Sequence, residues 1–294
     1  MDSKKPEIDI EYFGQQSRFF SFFETIVDDL LHGEGIYAET NSGSNGNAYM
    51  YAKKGYKVIT NDASEYSFSV ANAIMSDNIP NNNFSKYEWL ENYSDSYIKR
   101  AAVFASVVDM YGYNAEIPNE LDEKLKTKID DYIKYFTDIN DKKVRAYKSY
   151  NEDLFCYLKK LYEENIKVDV MFMDLAWPWR DGSKTEEYNT TANIYSNVFV
   201  KSKIKNIEIW DKTNVIDNVI KAVKEAKKVS KYVLLSNQSS NYPTPELLEV
   251  ALLKNGLNYE IRHTMLTDAE YEDNLGKETF FREYLYVIRG DRNE

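Results

Sequence analysis

Residues 35–62 read GIYAETNSGSNGNAYMYAKKGYKVITND, and their pattern decides the fold. Gly35-Ile36-Tyr37-Ala38-Glu39 is a short apolar run ending in an acid, as a buried strand would be. Thr40 to Asn47 form a turn of small and polar residues. Helical spacing follows from about Ala48 to Lys54, and Gly55 fits its C-terminal stop. Tyr56-Lys57-Val58-Ile59-Thr60 reads as a second strand, closed by Asn61-Asp62. Strand, turn, helix, strand, acid is the first half of a nucleotide-binding α/β unit.

Outward from this unit the alternation continues. Upstream, Phe19, Phe20, Phe22, Phe23, Ile26, Val27, Leu30 and Leu31 give residues 17–32 a helical apolar face. Downstream, a helix is expected over Ser64 to Met75, then a loop at Pro80-Asn81-Asn82-Asn83. Residues 84–150 look mainly helical, with a break at Gly112 to Pro118. The α/β pattern resumes with a helix over Glu152 to Glu164. The run Val168-Asp169-Val170-Met171-Phe172-Met173 then reads as a central parallel strand ending at Asp174. The polar loop Trp177 to Tyr195 is long enough to suggest function. A helix over Thr213 to Lys228, a strand over Tyr232 to Asn237, a helix over Pro245 to Asn255 and a last strand over Phe281 to Arg289 complete the chain. The expected organisation is one α/β domain from residues 1–80 and 151–294, interrupted by a helical insertion at 81–150 that is a candidate for target recognition.

Composition narrows the function classes. Hydrophobic residues make up 43% of 294 and aromatics 15%, enough for a sizeable core. One cysteine and two histidines argue against a disulfide, a cysteine-rich site or a histidine-built metal site, so no metal is expected. The polar N-terminus and the lack of a long apolar run make a cytoplasmic protein with no membrane the expectation. The net charge of −11 argues against broad phosphate binding, though a local basic groove is compatible with it.

Ligands of open α/β sheets bind beyond the carboxyl ends of the strands. Three polar clusters fall at such ends. Glu39 precedes the turn Asn41-Ser42-Gly43-Ser44, whose small residues let backbone approach a ligand; a purely structural turn would look the same. Because this is not GxGxxG, a dinucleotide is disfavoured. Asp62, followed by Ala63, reads equally as an acceptor for ribose hydroxyls and as a helix cap. In Asp174-Leu175-Ala176-Trp177, an acid sits beside an aromatic ring expected to be exposed. The acid suits an exocyclic amine and the ring a planar base; a tryptophan-rich packing loop would read the same.

In this order the clusters resemble the adenine-N6 DNA methyltransferases of the Dam-like class. Tyr12-Phe13-Gly14-Gln15-Gln16-Ser17-Arg18 resembles the family's N-terminal cofactor motif, with Gln16 where the family has Lys. Glu39 to Ser44 is similar to Glu-Pro-Phe-Ala-Gly-Ser. Lys54 to Asp62, continued through Tyr66-Ser67, is the nearest match, and Asn151 to Asp153 stands where the family has a short acidic motif near the cofactor adenine. Asp174-Leu175-Ala176-Trp177 replaces Asp-Pro-Pro-Tyr, so both prolines are gone while the acid and the aromatic remain.

The resemblance implies a Rossmann-like S-adenosylmethionine-dependent methyltransferase sheet. It implies S-adenosylmethionine held by Tyr12, Phe13, Gly14, Glu39, Asn41, Ser42, Gly43, Ser44, Asp62, Ala63, Asp153 and Asp174. It implies catalysis by Asp174, Leu175, Ala176 and Trp177 on an adenine flipped out of DNA, and a place in restriction–modification. The lost prolines, which would fix φ and remove two donors, leave two alternatives open. One is a catalytically impaired nucleic-acid-binding or protein-partner subunit. The other is a methyltransferase for a different amine, such as cytosine N4.

Overall fold

The computed structural model describes Ile8, Ile10 and residues 19–81, 84–113, 115–179, 194–199, 210–267 and 281–291. Among these residues seven strands form one sheet: β1 (Ile36–Glu39), β2 (Lys57–Asn61), β3 (Lys148–Tyr150), β4 (Val168–Asp174), β5 (Ser230–Gln238), β6 (Tyr259–Thr267) and β7 (Phe281–Arg289). Their spatial order is β3-β2-β1-β4-β5-β7-β6. The first five run parallel, while β7 enters antiparallel between β5 and β6.

Among the described residues eight α-helices connect them: α1 (Phe20–Leu31), α2 (Gly46–Lys53), α3 (Glu65–Met75), α4 (Tyr97–Tyr111), α5 (Glu123–Asn140), α6 (Leu154–Glu163), α7 (Val215–Val229) and α8 (Pro245–Lys254). Alternation along the strands sorts their side chains onto two faces. Tyr37, Val170, Phe172, Leu234, Leu285 and Val287 face one core with α1 to α5. Ala38, Met171, Met173, Val233, Leu235 and Tyr286 face the other with α6 to α8. The Phe23 and Phe172 rings, 4.9 Å apart, pin α1 to the centre of the sheet, a contact worth about 0.5–1.5 kcal/mol beyond area burial.

Two sequence expectations change here. Lys148–Tyr150, assigned to the helical insertion, forms β3 and pairs with β2. Its three half-buried residues are too few to show a period. The expected helical stretch contains a 3₁₀ turn at Glu88–Tyr93, α4 and α5, but α4 and α5 share the α3 core. Tyr66, Val70, Phe104, Leu125, Ile129 and Phe136 are buried in a single cluster. No helix among the described residues is long and apolar enough to cross a membrane.

Candidate active site

The carboxyl ends of β2, β1 and β4 lie side by side, which brings the three polar clusters together. Ser42 and Asn61 exchange bonds: the Ser42 amide donates to the Asn61 carbonyl at 2.9 Å, and the Asn61 amide donates to Ser42 Oγ at 3.1 Å. The Asn61 side chain continues the knot. Its Nδ2 donates to the carbonyls of Thr40 and Glu152, and its Oδ1 accepts from the Glu152 amide. Asn45, in the left-handed region at φ 62°, ends the turn and donates to the carbonyls of Gly43 and Ser67. Gly46 opens α2 so close to α1 that a Cβ there would lie 2.6 Å from Phe20 Cζ.

Asp62 is buried with both oxygens engaged. Oδ2 accepts from the Gly43 amide and Oδ1 from the Ser64 amide, each at 2.9 Å. Gly43 holds φ 51°, which places its amide there at no steric cost. Of its two sequence readings, the capping one is visible in modified form: Asp62 holds the amide of Ser64, the N-cap residue of α3. Ala63 accepts at its carbonyl from Asn151 Nδ2. Asp153 caps α6, accepting from the Cys156 amide at 2.9 Å.

Glu39 is 2% exposed, at the end of β1 between the other two acids. Its Oε1 accepts from the Tyr37 hydroxyl at 2.8 Å. Its Oε2 makes no hydrogen bond of normal geometry, although the Ser42 hydroxyl is near enough to favour the ionised form. Burial, reinforced by the negative charges of Asp174 and Asp62, pushes the Glu39 carboxyl up to about 8. Asn41 Oδ1, Asn45 Oδ1 and Ser64 Oγ are likewise buried without a hydrogen-bond partner. Buried polar atoms of this kind are costly unless something satisfies them.

Asp174 ends β4 half-buried, directly beside Ser236 of β5. The Ser236 hydroxyl lies 3.4 Å from Asp174 Oδ1 and 2.7 Å from Glu283 Oε1. Glu283, fully buried on β7, is a carboxyl of this site that the sequence did not single out. Ser236 was within reach, as the first polar residue after Val233-Leu234-Leu235. Glu283 was not, because nothing local marks it.

Trp177 corrects an expectation. Instead of standing exposed, it is 4% exposed, belongs to the α6–α8 core, and donates from Nε1 to the Ser236 carbonyl at 2.9 Å. A tight turn, in which the Trp177 amide donates to the Leu175 carbonyl at 2.8 Å, folds the ring back. Leu175 is buried and Ala176 half-buried. Tyr12, Phe13 and Gly14, the rest of the N-terminal motif, and most of the loop after Trp177 lie outside the described residues. A surface cleft lined by Phe68, Asn72, Ile79, Tyr97 and Ser149 contains none of the residues chosen from the sequence.

The antiparallel β7 inserted between β5 and β6 decides the class of sheet. This is the Rossmann-like methyltransferase fold. Solved structures of that fold are similar to the chain at low identity. A human methyltransferase 10 domain containing protein is covered over 88% of its length by 97% of this chain, at 10% identity and TM-score 0.44. The precorrin 8w decarboxylase of Methanobacterium thermoautotrophicum is covered over 97% by 97%, at 8% and 0.43. The magnesium protoporphyrin IX methyltransferase of Synechocystis, with S-adenosylmethionine bound, is covered over 89% by 97%, at 11% and 0.38. Likenesses this distant leave the substrate to the chemistry of the site itself. No protein-family model and no curated protein matches the chain.

Proposed function

We propose that this chain uses S-adenosylmethionine to methylate the N6 amine of an adenine extruded from DNA. The observation that carries the reading is the convergence of Glu39, the 41–45 turn, Asp62 and Asp174 at the adjacent carboxyl ends of β1, β2 and β4, where Glu39 Oε2 and Asn41 Oδ1 are buried without a hydrogen bond. Glu39, Asn41 to Ser44, Asp62 with Ala63, and Asp153 would hold the cofactor, joined by Tyr12, Phe13 and Gly14. Bound there, it would supply an electrophilic methyl on a cationic sulfur.

The chain's own part is positioning. Asp174 accepts from the target amine and localises the nitrogen lone pair. The carbonyls of Leu175 and Ala176 provide the second acceptor. The Trp177 amide already uses one lone pair of the Leu175 carbonyl, so Ala176 is the freer of the two. The folded-back Trp177 ring favours a second reading, in which the base is held without it: a different amine, such as cytosine N4, or a subunit whose catalysis is impaired.

Labelled S-adenosylmethionine and a panel of duplex and single-stranded DNA test the proposal, with product nucleosides identified by mass spectrometry. Label is expected on adenine N6, falling by about 10²-fold or more in Asp174→Ala. Label on another amine supports the second reading; no label in any DNA removes the enzymatic one.

A further inference from the structure

We propose that Glu39 is the residue by which this site distinguishes the sulfonium of S-adenosylmethionine from the uncharged thioether of S-adenosylhomocysteine. The inference rests on the cofactor reading above and deepens it. In that reading Asp62 accepts from the ribose and Asp174 from the target amine. The cofactor's sulfur is bonded both to the ribose carbon and to the methyl that is transferred, so it must lie between those two ends. The strand between β2 and β4 is β1, and its last side chain on the Asp174 face is Glu39.

The surroundings of Glu39 suit that task. It is almost wholly buried, with Oε1 taken by the Tyr37 hydroxyl and Oε2 making no hydrogen bond of normal geometry, the Ser42 hydroxyl lying nearby. The groups that face it are Tyr37 on β1, the Ser42 hydroxyl in the turn, Tyr51 on α2, Asp62 after β2, Tyr157 on α6 and Asp174 on β4. Among the described residues these are all acids or neutral hydroxyls. Without a cationic guest, burial and the two neighbouring carboxylates hold Glu39 in its protonated form at neutral pH. A fixed positive charge over β1 reverses that balance, and the carboxyl loses its proton to solvent.

The proton count closes over a turnover. Methylation forms an N–C bond, breaks the S–C bond and frees one amine proton. Sulfur becomes neutral at that moment, and Glu39 takes up a proton again. Exchange of product for fresh cofactor then returns one proton to water.

Titration calorimetry of the whole chain at pH 7, in phosphate and in Tris, reads the proton count directly, with S-adenosylmethionine and S-adenosylhomocysteine as probes. Both probes carry the amino-acid ammonium, so their difference isolates the sulfonium. The expected result is close to one proton released per S-adenosylmethionine and close to none per S-adenosylhomocysteine. Glu39→Gln is expected to release none with either, to bind S-adenosylmethionine about tenfold or more weakly, and to bind S-adenosylhomocysteine within about twofold of wild type. Equal proton counts for the two ligands, or equal weakening of both by Glu39→Gln, overturns the assignment while leaving the cofactor reading intact. No binding of either ligand removes both together.

Discussion

Asp62 holds the amides of Gly43 and Ser64, so it shapes the turn before any ligand arrives. Asp62→Ala leaves two amides to find water or nothing, a cost of about 1–3 kcal/mol in chemical denaturation. Glu39 carries a different signature. Its folded-state carboxyl sits at about 8, above its value of 4.5 in the unfolded chain. The folded state therefore holds the proton more tightly. The contribution is fully present below about pH 4.5 and is lost as pH rises through 8. Glu39→Gln should remove that loss, so its advantage over wild type in thermal melts grows from pH 5 to pH 8 by up to a few kcal/mol. An advantage independent of pH would show that Glu39 is not protonated in the free protein. Trp177→Ala should cost about 3–5 kcal/mol by equilibrium unfolding, as expected for a packed core ring. A cost near zero would mean the ring is not held in that core.

At the scale of elements, the site is a knot between strand ends. Asn61 alone joins β2 to the Thr40 carbonyl after β1 and to Glu152 between β3 and α6. The loop after β4 is anchored at both described ends: Trp177 on the Ser236 carbonyl, and Tyr195 among Tyr66 of α3 and Phe104 of α4. Arg100, over the Phe199 ring at 5.1 Å, fixes the same returning segment. Tyr195→Ala should therefore loosen the insertion from α3 and lower the melting temperature by several degrees, since its fully buried ring leaves a cavity. An unchanged melt would contradict that packing. The elements differ in how plainly the sequence announced them. Gly35 to Asp62 was legible because every local signal agreed: apolar run, small-residue turn, Gly55 stop, second strand, acid. β3 was not, since three residues carry no period. The burial of Trp177 was hidden because its partner lies 59 positions away on β5, and Glu283 because its partner lies 47 positions away.

The whole molecule joins an acidic surface to a site built of acids. With a net charge of −11, unspecific duplex DNA should bind no tighter than about 10⁻⁴–10⁻⁶ M at physiological salt by anisotropy, with a shallow salt slope. Tight, steeply salt-dependent binding would point to a basic groove that the composition does not require. The alternating pattern made the class of sheet readable and the strand-end clusters pointed to one shared site; the structure adds the place of β7 between β5 and β6 and the side-by-side ends that bring Glu39, Asp62 and Asp174 together. That meeting is the central claim, and equilibrium titration with S-adenosylmethionine tests it most directly. Wild type should bind in the micromolar range, and Asp62→Ala, still folded by its melting curve, should weaken binding at least about tenfold. No binding by wild type, or equal binding by both, would contradict the account.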